Sequence, residues 1–376
     1  MANFTRGFQV LLILASLVVL LTGLKLATDL LTQFMLAFFL AVLGYPVVSF
    51  LRNRRFPKWL AVLLTVVMML SVLVGLVFVG SGLATDFQDK IDDYALRLQV
   101  TVSNQIDGMT RWVQGVFGEE PAAAFRRGAA AFVNERVIQQ WVGSLDFVSV
   151  FNRIASVLKT TFFVILLVVF MLAEGGGFGR KMAKIRRLRG PNFSKVMAAA
   201  SDIQKYLGIK TIVSAITGVL AGLLCYGANL DFPLLWAMVA FGLNYIPAIG
   251  SVIASLPPIF IALVLFGLPQ AIVVLVGYLI INITLGNFVE PMLLGRRFGI
   301  STLVVIVSVI FWGWIWGWVG MFLAVPLTML LKVLLDDSDE FAWLGVLIGK
   351  EPPRAAAILL GEAPAVGSGE EERVSG

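Results

Sequence analysis

A chain of 376 residues that is 59% hydrophobic and 14% charged, with a mean hydropathy of +0.91, belongs among polytopic membrane proteins and not among soluble domains. The sequence has no histidine and one cysteine, Cys225. That excludes imidazole acid–base or metal chemistry, intrachain disulfides and cysteine clusters. The formal charge of +6 lies largely in short loops beside apolar runs, where it orients spans in a membrane, and nucleic acid is not an expected partner. The expected fold class is all-α, because a helix satisfies its own backbone groups in lipid.

In chain order, the first spans fall at residues 8 to 24, 34 to 51 and 59 to 81. An apolar run follows Arg6 with no A-x-A-like cleavage site, so residues 1 to 81 read as retained transmembrane helices. The loop "RNRRFPK" carries Arg52, Arg54, Arg55 and Lys58 without an acidic residue, which places it and the N-terminus in the cytoplasm. Residues 82 to 147 change character. Phe87, Ile91, Tyr94, Leu98, Val102, Ile106, Met109, Val113 and Val116 recur at steps of three and four, which predicts an amphipathic helix ending near "GEEP". A second helical stretch runs to about Trp141, making a small extracytoplasmic helical insertion. Its apolar stripe packs on itself, on the membrane surface or on a neighbouring subunit.

A fourth span ends at "FFVILLVVFMLAE", and "GGGFGRKMAKIRRLRGPNFSK" then carries seven basic residues and no acidic one, a flexible cytoplasmic loop beside lipid. "GGGFGRK" lacks the Walker spacing and the hydroxyl residue after lysine, so it is not a nucleotide loop. Residues 148 to 335 form the expected transport core. A plain span at 206 to 228 is followed by 233 to 266, an apolar stretch containing "NYIPAIGSVIASLPP". Pro247 removes an amide hydrogen, Gly250 permits a turn, and Pro257 with Pro258 interrupts the ladder again, so a broken or re-entrant hairpin is expected. The plan recurs as a plain span at 270 to 290 and a stretch at 300 to 335 interrupted at "WGWIWGWVG" and by Pro326. A crossing plus an out-and-back hairpin inverts its own orientation when repeated, which is the logic of an inverted-repeat transporter, and it puts Arg296 and Arg297 in the cytoplasm. Residues 336 to 376, with nine acidic and three basic residues, read as a disordered cytoplasmic tail.

Polar side chains concentrate in this second half. Asn244 and Tyr245 precede Pro247, while Asn282, Thr284, Asn287, Glu290 and Pro291 lie on the later plain span. Asn282, Gly286 and Glu290 step by four and are expected to share one helical face. Each asparagine alone also fits a hydrogen bond that only holds the bundle, and Glu290 fits an interfacial carboxylate. The cluster points to a place where a small polar solute or a coupling cation, proton or sodium, is held or gated. Lys25 and Asp29, four apart, read as an interfacial ion pair, and Trp312, Trp314, Trp316 and Trp318 as interface anchors. No nucleophile stands beside a carboxylate pair, so no enzyme, metal or cofactor is expected. Ion antiport, a passive oligomeric pore and a membrane scaffold that binds a partner through the insertion remain as alternatives to solute export.

The stretches "NYIPAIGSVIASLPP", "GNFVEPMLLGRRFGISTLVVIVSVIFWG" and "GWVGMFLAVPLTMLLKVL" resemble the motifs of the autoinducer-2 exporter family of bacterial membrane permeases, most strongly from about residue 200 to 335. Asn244, Pro247, Gly250 and Pro257 match that family's signature hairpin. Where many relatives open the second motif with an acidic residue and asparagine, this sequence has Gly286 and Asn287, with its carboxylate at Glu290. The resemblance implies export of autoinducer-2 or a related solute across the cytoplasmic membrane, or sodium(lithium)/proton antiport, by a homo-oligomer for which it suggests a pentamer.

Overall fold

The computed structural model describes residues 6–132, 149, 161–187, 194–294, 301–336, 345 and 347–349. The protein is built from helices: α1 (Arg6–Leu26), α2 (Thr28–Asn53), α3 (Lys58–Asp89), α4 (Ile91–Phe117), α5 (Glu119–Phe132), α6 (Thr161–Arg187), α7 (Ser194–Gly227), α8 (Pro233–Leu243), α9 (Gly250–Phe266), α10 (Leu268–Leu294) and α11 (Thr302–Asp336). Five of them, α2, α3, α7, α10 and α11, are long and apolar enough to cross a membrane. Apolar side chains such as Val18, Val19, Phe78 and Phe162 are more than half exposed, a surface that suits lipid and not water.

Three apolar cores hold the helices together. One joins α2, α3 and α6 around Ala37, Ala61, Val62 and Leu172. A second joins α3, α4 and α7 to α10 around Phe87, Trp236 and Tyr278. The third gathers Phe39, Tyr206, Tyr245, Trp312 and Trp316 from α2, α7, the segment after α8, and α11. Close approach depends on small residues: a Cβ on Gly218 would lie 2.7 Å from the Ala237 carbonyl and one on Gly222 2.9 Å from the Ala237 Cβ. This small-xxx-small pair lets α8 lie against the α7 backbone.

Two of the apolar stretches fold back on themselves. Between α8 and α9 the chain reverses through residues 244–249, with Ala248 at φ 61°. In α11 the reversal occurs at Gly317 (φ 63°, ψ −144°). Ser308 and Thr328 would stand about 30 Å apart on a straight helix, yet the Thr328 Oγ1–H donates to Ser308 Oγ at 2.8 Å. This 35-residue segment is therefore a hairpin of two antiparallel arms and not one straight crossing.

Several expectations need correction. Pro257 and Pro258 do not interrupt the backbone; both are buried inside α9, and Pro326 likewise inside the second arm of α11. A proline deletes one helical hydrogen bond, and tight packing on neighbours holds the helix on course around it. The expected basic loop after the fourth span is helical as far as Arg187, because α6 continues through the glycines at 175–177. The third span does not end near residue 82, since α3 runs to Asp89. Lys25 lies with its Nζ 4.5 Å from the Trp314 ring centroid and forms no ion pair with Asp29 among the described residues. Trp312 and Trp316 are buried, with their indole N–H groups donating to Thr328 Oγ1 at 3.2 Å and to the Leu24 carbonyl at 3.3 Å, and only Trp314 and Trp318 are exposed. Arg296 and Arg297, most of residues 133–160, and most of the acidic tail lie outside the described residues. Within the tail, the Ile348 carbonyl accepts a hydrogen bond from the Ser301 N–H at 3.2 Å.

Candidate functional site

The turn that joins α8 to α9 is shaped by local sequence. Asn244 caps α8, Pro247 cannot donate a backbone hydrogen bond, and Ala248 occupies the left-handed region. Gly250 then opens α9 so close to the first arm that a Cβ there would collide with the Leu243 carbonyl oxygen. Only glycine permits that approach.

The side chains of this turn converge on one turn of α7. Asn244 Nδ2 donates to Ser214 Oγ at 3.0 Å, and the Tyr245 hydroxyl donates to Thr211 Oγ1 at 2.8 Å. One position before Thr211, Lys210 Nζ reaches both Glu290 oxygens at 2.8 and 2.9 Å. The acceptors and the lysine span residues 210 to 214, about 6 Å of helix rise. Lys210 and Glu290 are 5% and 16% exposed as side chains, so the pair is held away from bulk solvent. Each charge therefore depends on the other, since an unpaired ion at this depth costs several kcal/mol, about 3–5 on loss of one partner.

The same turn also meets the second hairpin. The Tyr245 ring stacks on Phe322 with centroids 4.5 Å apart, and Phe241 and Phe39 approach it edge-on at 5.7 and 6.5 Å. Hairpin one, α7, α10, α2 and the second arm of α11 thus share a single junction, polar on the α7 side and aromatic on the α11 side.

The remaining expected residues are distributed more widely. Asn282 Nδ2 points to the Ser251 carbonyl of α9 at 3.4 Å, while Gly286 and Asn287 are exposed and Glu290 turns to α7. The expected shared face does not gather the three residues: Asn282 meets α9, Glu290 meets α7 and Gly286 between them is exposed, with Ile283–Val289 in a π-helical segment. Pro291 is exposed one residue after Glu290, and Pro257 is buried in α9 away from the turn. Lys210, Thr211, Ser214 and Phe322 were not singled out from sequence. A lysine inside the span 206–228 was the available signal for the first, while hydroxyl residues and a phenylalanine in apolar sequence carry no comparable mark.

The family profile described as AI-2E family transporter matches residues 14–339. The chain belongs to the AI-2E transporter family. It is 34% identical over 353 residues to a putative transport protein of Haemophilus influenzae, covering 93% of this chain and 98% of that one. It is 33% identical over 345 residues to the AI-2 transport protein TqsA of Escherichia coli K12, covering 91% and 96%. The putative transport protein YhhT of the same strain is 32% identical over 349 residues, covering 93% and 96%. As a member of the AI-2E family, this is a membrane-embedded transport protein, with the α8–α9 turn, Lys210 and Glu290 all inside the matched region.

At one end of the bundle the AI-2E protein carries a further polar knot. The Asp231 carboxylate accepts from the Tyr94 hydroxyl at 2.7 Å and from Lys90 Nζ at 3.2 Å, and its carbonyl accepts from the Trp236 indole at 2.9 Å. Burial and the adjacent carboxylate push the Tyr94 phenol well above its usual range, which keeps it a donor. The Thr101 hydroxyl adds a bond to the Val264 carbonyl at 3.3 Å, so α4 is tied to both arms of the first hairpin.

Proposed function

We propose that this protein is a secondary transporter that exports a small polar solute, autoinducer-2 or a close chemical relative, across the bacterial cytoplasmic membrane. The observation that carries the reading is the convergence of Asn244, Tyr245 and the Lys210–Glu290 pair on one turn of α7, against an aromatic contact with the second hairpin. Broken helices that carry irregular backbone and polar side chains inside a helical bundle are where transporters hold cargo. The solute class is drawn from the printed name of TqsA, which is called an AI-2 transport protein. Both hairpins follow a plain span and have a glycine just past the reversal whose Cβ would strike a carbonyl of the first arm, Leu243 for Gly250 and Trp312 for Gly320. That likeness supports an inverted repeat. In this reading both termini are cytoplasmic, α4 and α5 lie outside the cell, and the functional unit is a homo-oligomer whose subunits cover the exposed Thr284 and Asn287 of α10.

The carboxylate of Glu290 is what favours sodium(lithium)/proton antiport as a second reading. Lys210 already neutralises it at 2.8 Å, so a cation must displace an ammonium to bind there, which weighs against that reading. Proteoliposomes loaded with labelled autoinducer-2 separate the two. Export predicts efflux faster than from protein-free vesicles and at least tenfold slower with Asn244→Ala. Efflux equal to the protein-free control, with a sodium- or lithium-driven change in luminal pH that Glu290→Gln abolishes, moves the assignment to antiport.

A further inference from the structure

We propose that the cavity between the end of α2, the start of α3 and the side of α6 binds the phosphate of an acidic phospholipid headgroup. The cavity holds about 240 Å³, with Tyr45, Ser49, Arg52 and Lys58 around a floor of Val48 and Leu172. Val48 and Leu172 are 4% and 2% exposed, so the floor is fixed by the α2–α3–α6 core and the polar groups stand above it.

The backbone here is arranged to present cations. The Phe56 N–H reaches the Leu51 carbonyl at 3.3 Å and the Arg55 N–H the Arg52 carbonyl at 3.0 Å, the paired bonds of a Schellman cap, with Arg55 at φ 70°. That position ordinarily takes glycine, and a side chain there costs about 1–2 kcal/mol. Arg54 is turned over the Phe50 ring at 5.4 Å. No acidic residue occurs between Asp29 and Asp86, and Arg52, Arg54, Arg55 and Lys58 make no ion pair among the described residues. Cations gathered at the mouth of a hydroxyl-bearing cavity, beside the first amides of α3, match a tetrahedral oxyanion.

Location selects a lipid as its carrier. Trp59, Leu63 and Val67, at four-residue steps down α3 from the cavity rim, are 68%, 50% and 51% exposed, an apolar track that suits an acyl chain. The orientation proposed above places this end at the cytoplasmic leaflet, whose acidic lipids attract such loops; binding in micelles does not depend on that orientation, so this inference and the export reading fail separately.

The test is thermal melting of the full-length protein in detergent micelles titrated with phosphatidylglycerol, with phosphatidylcholine of the same chains, or with inorganic phosphate. Phosphatidylglycerol alone should raise the melting temperature, and Arg52→Ala with Lys58→Ala should raise the concentration for half-maximal effect at least tenfold. The charge-preserving pair Arg52→Lys with Lys58→Arg should respond as wild type, which separates loss of charge from loss of fold. Equal stabilisation by phosphatidylcholine, an equal response to inorganic phosphate, or an unchanged midpoint in the double alanine variant would each overturn the proposal.

Discussion

The two hairpins use the same backbone device and spend their polar groups differently. In both, the chain reverses and a glycine follows at once, Gly250 after the six-residue turn and Gly320 after Gly317, each too close to a carbonyl of the first arm to carry a side chain. In the second hairpin the hydroxyls close on each other: Thr328 bonds Ser308, and Trp312 bonds Thr328, all between its own arms. In the first, Asn244 and Tyr245 reach outward to Ser214 and Thr211 of α7. A hairpin whose hydroxyls bond one another across its arms, with its Trp316 indole fixed on the Leu24 carbonyl of α1, is a rigid strut. One whose tip is bonded to a neighbouring helix can exchange that bond for a solute or move against the neighbour, at the cost of about one hydrogen bond, 0.5–1.5 kcal/mol net for each.

The largest effect should break both hairpins alike. Gly250→Val and Gly320→Val each force a side chain into a carbonyl oxygen, at a cost of more than about 3 kcal/mol. Both variants should lose the monodisperse peak in fluorescence-detected size exclusion, and survival of either would remove the shared close approach from the comparison. Next comes the buried pair. Lys210→Ala or Glu290→Ala alone should destabilise by about 3–5 kcal/mol, while Lys210→Met with Glu290→Leu together should recover most of the melting temperature. Transport by the recovered double variant then reports whether the charges act in export or only in folding.

A smaller and more diagnostic contrast sets the hairpins apart. Thr328→Val strands the Trp312 indole N–H, while Ser308 keeps its bond to the Val304 carbonyl, and should cost about 1–3 kcal/mol of stability, with transport per folded molecule unchanged. Asn244→Ala should cost less than half of that and yet reduce efflux at least tenfold. If the two variants lost stability and transport in the same proportion, the distinction between strut and working tip would fall. The smallest effect belongs to Asp231→Asn, because the Lys90–Asp231 side chains are 47% and 39% exposed and screened by solvent. It should lower stability by under about 1 kcal/mol, read as a slight fall in melting temperature, with the Tyr94 hydrogen bond retained by the amide oxygen.

Much of this fold was legible because lipid imposes a length and composition rule on each span, and prolines and glycines in apolar sequence stand out against it. The hairpin at residues 244–250 was read in this way, whereas the prolines at 257 and 258 were read as breaks and proved to be interior to a helix. A proline states that one hydrogen bond is missing. Whether the helix ends there depends on what packs beside it, and α9 is held on course by buried contacts through Ala254, Ile261 and Ala262. Similarly, Asn282 and Glu290, two four-residue steps apart, promised a shared face, and in the structure they turn to different helices, α9 and α7.

The sequence alone determined that this is an all-helical membrane protein with an interrupted, polar-bearing second half, since composition and periodicity are properties of each segment by itself. Only the tertiary structure decided that Lys210 answers Glu290, that Tyr245 of one hairpin stacks on Phe322 of the other, and that two tryptophans of four are buried. Those pairings join residues 80, 77 and, for Trp316 with Leu24, 292 positions apart. No local rule specifies them, because they depend on which helices lie side by side and at what height.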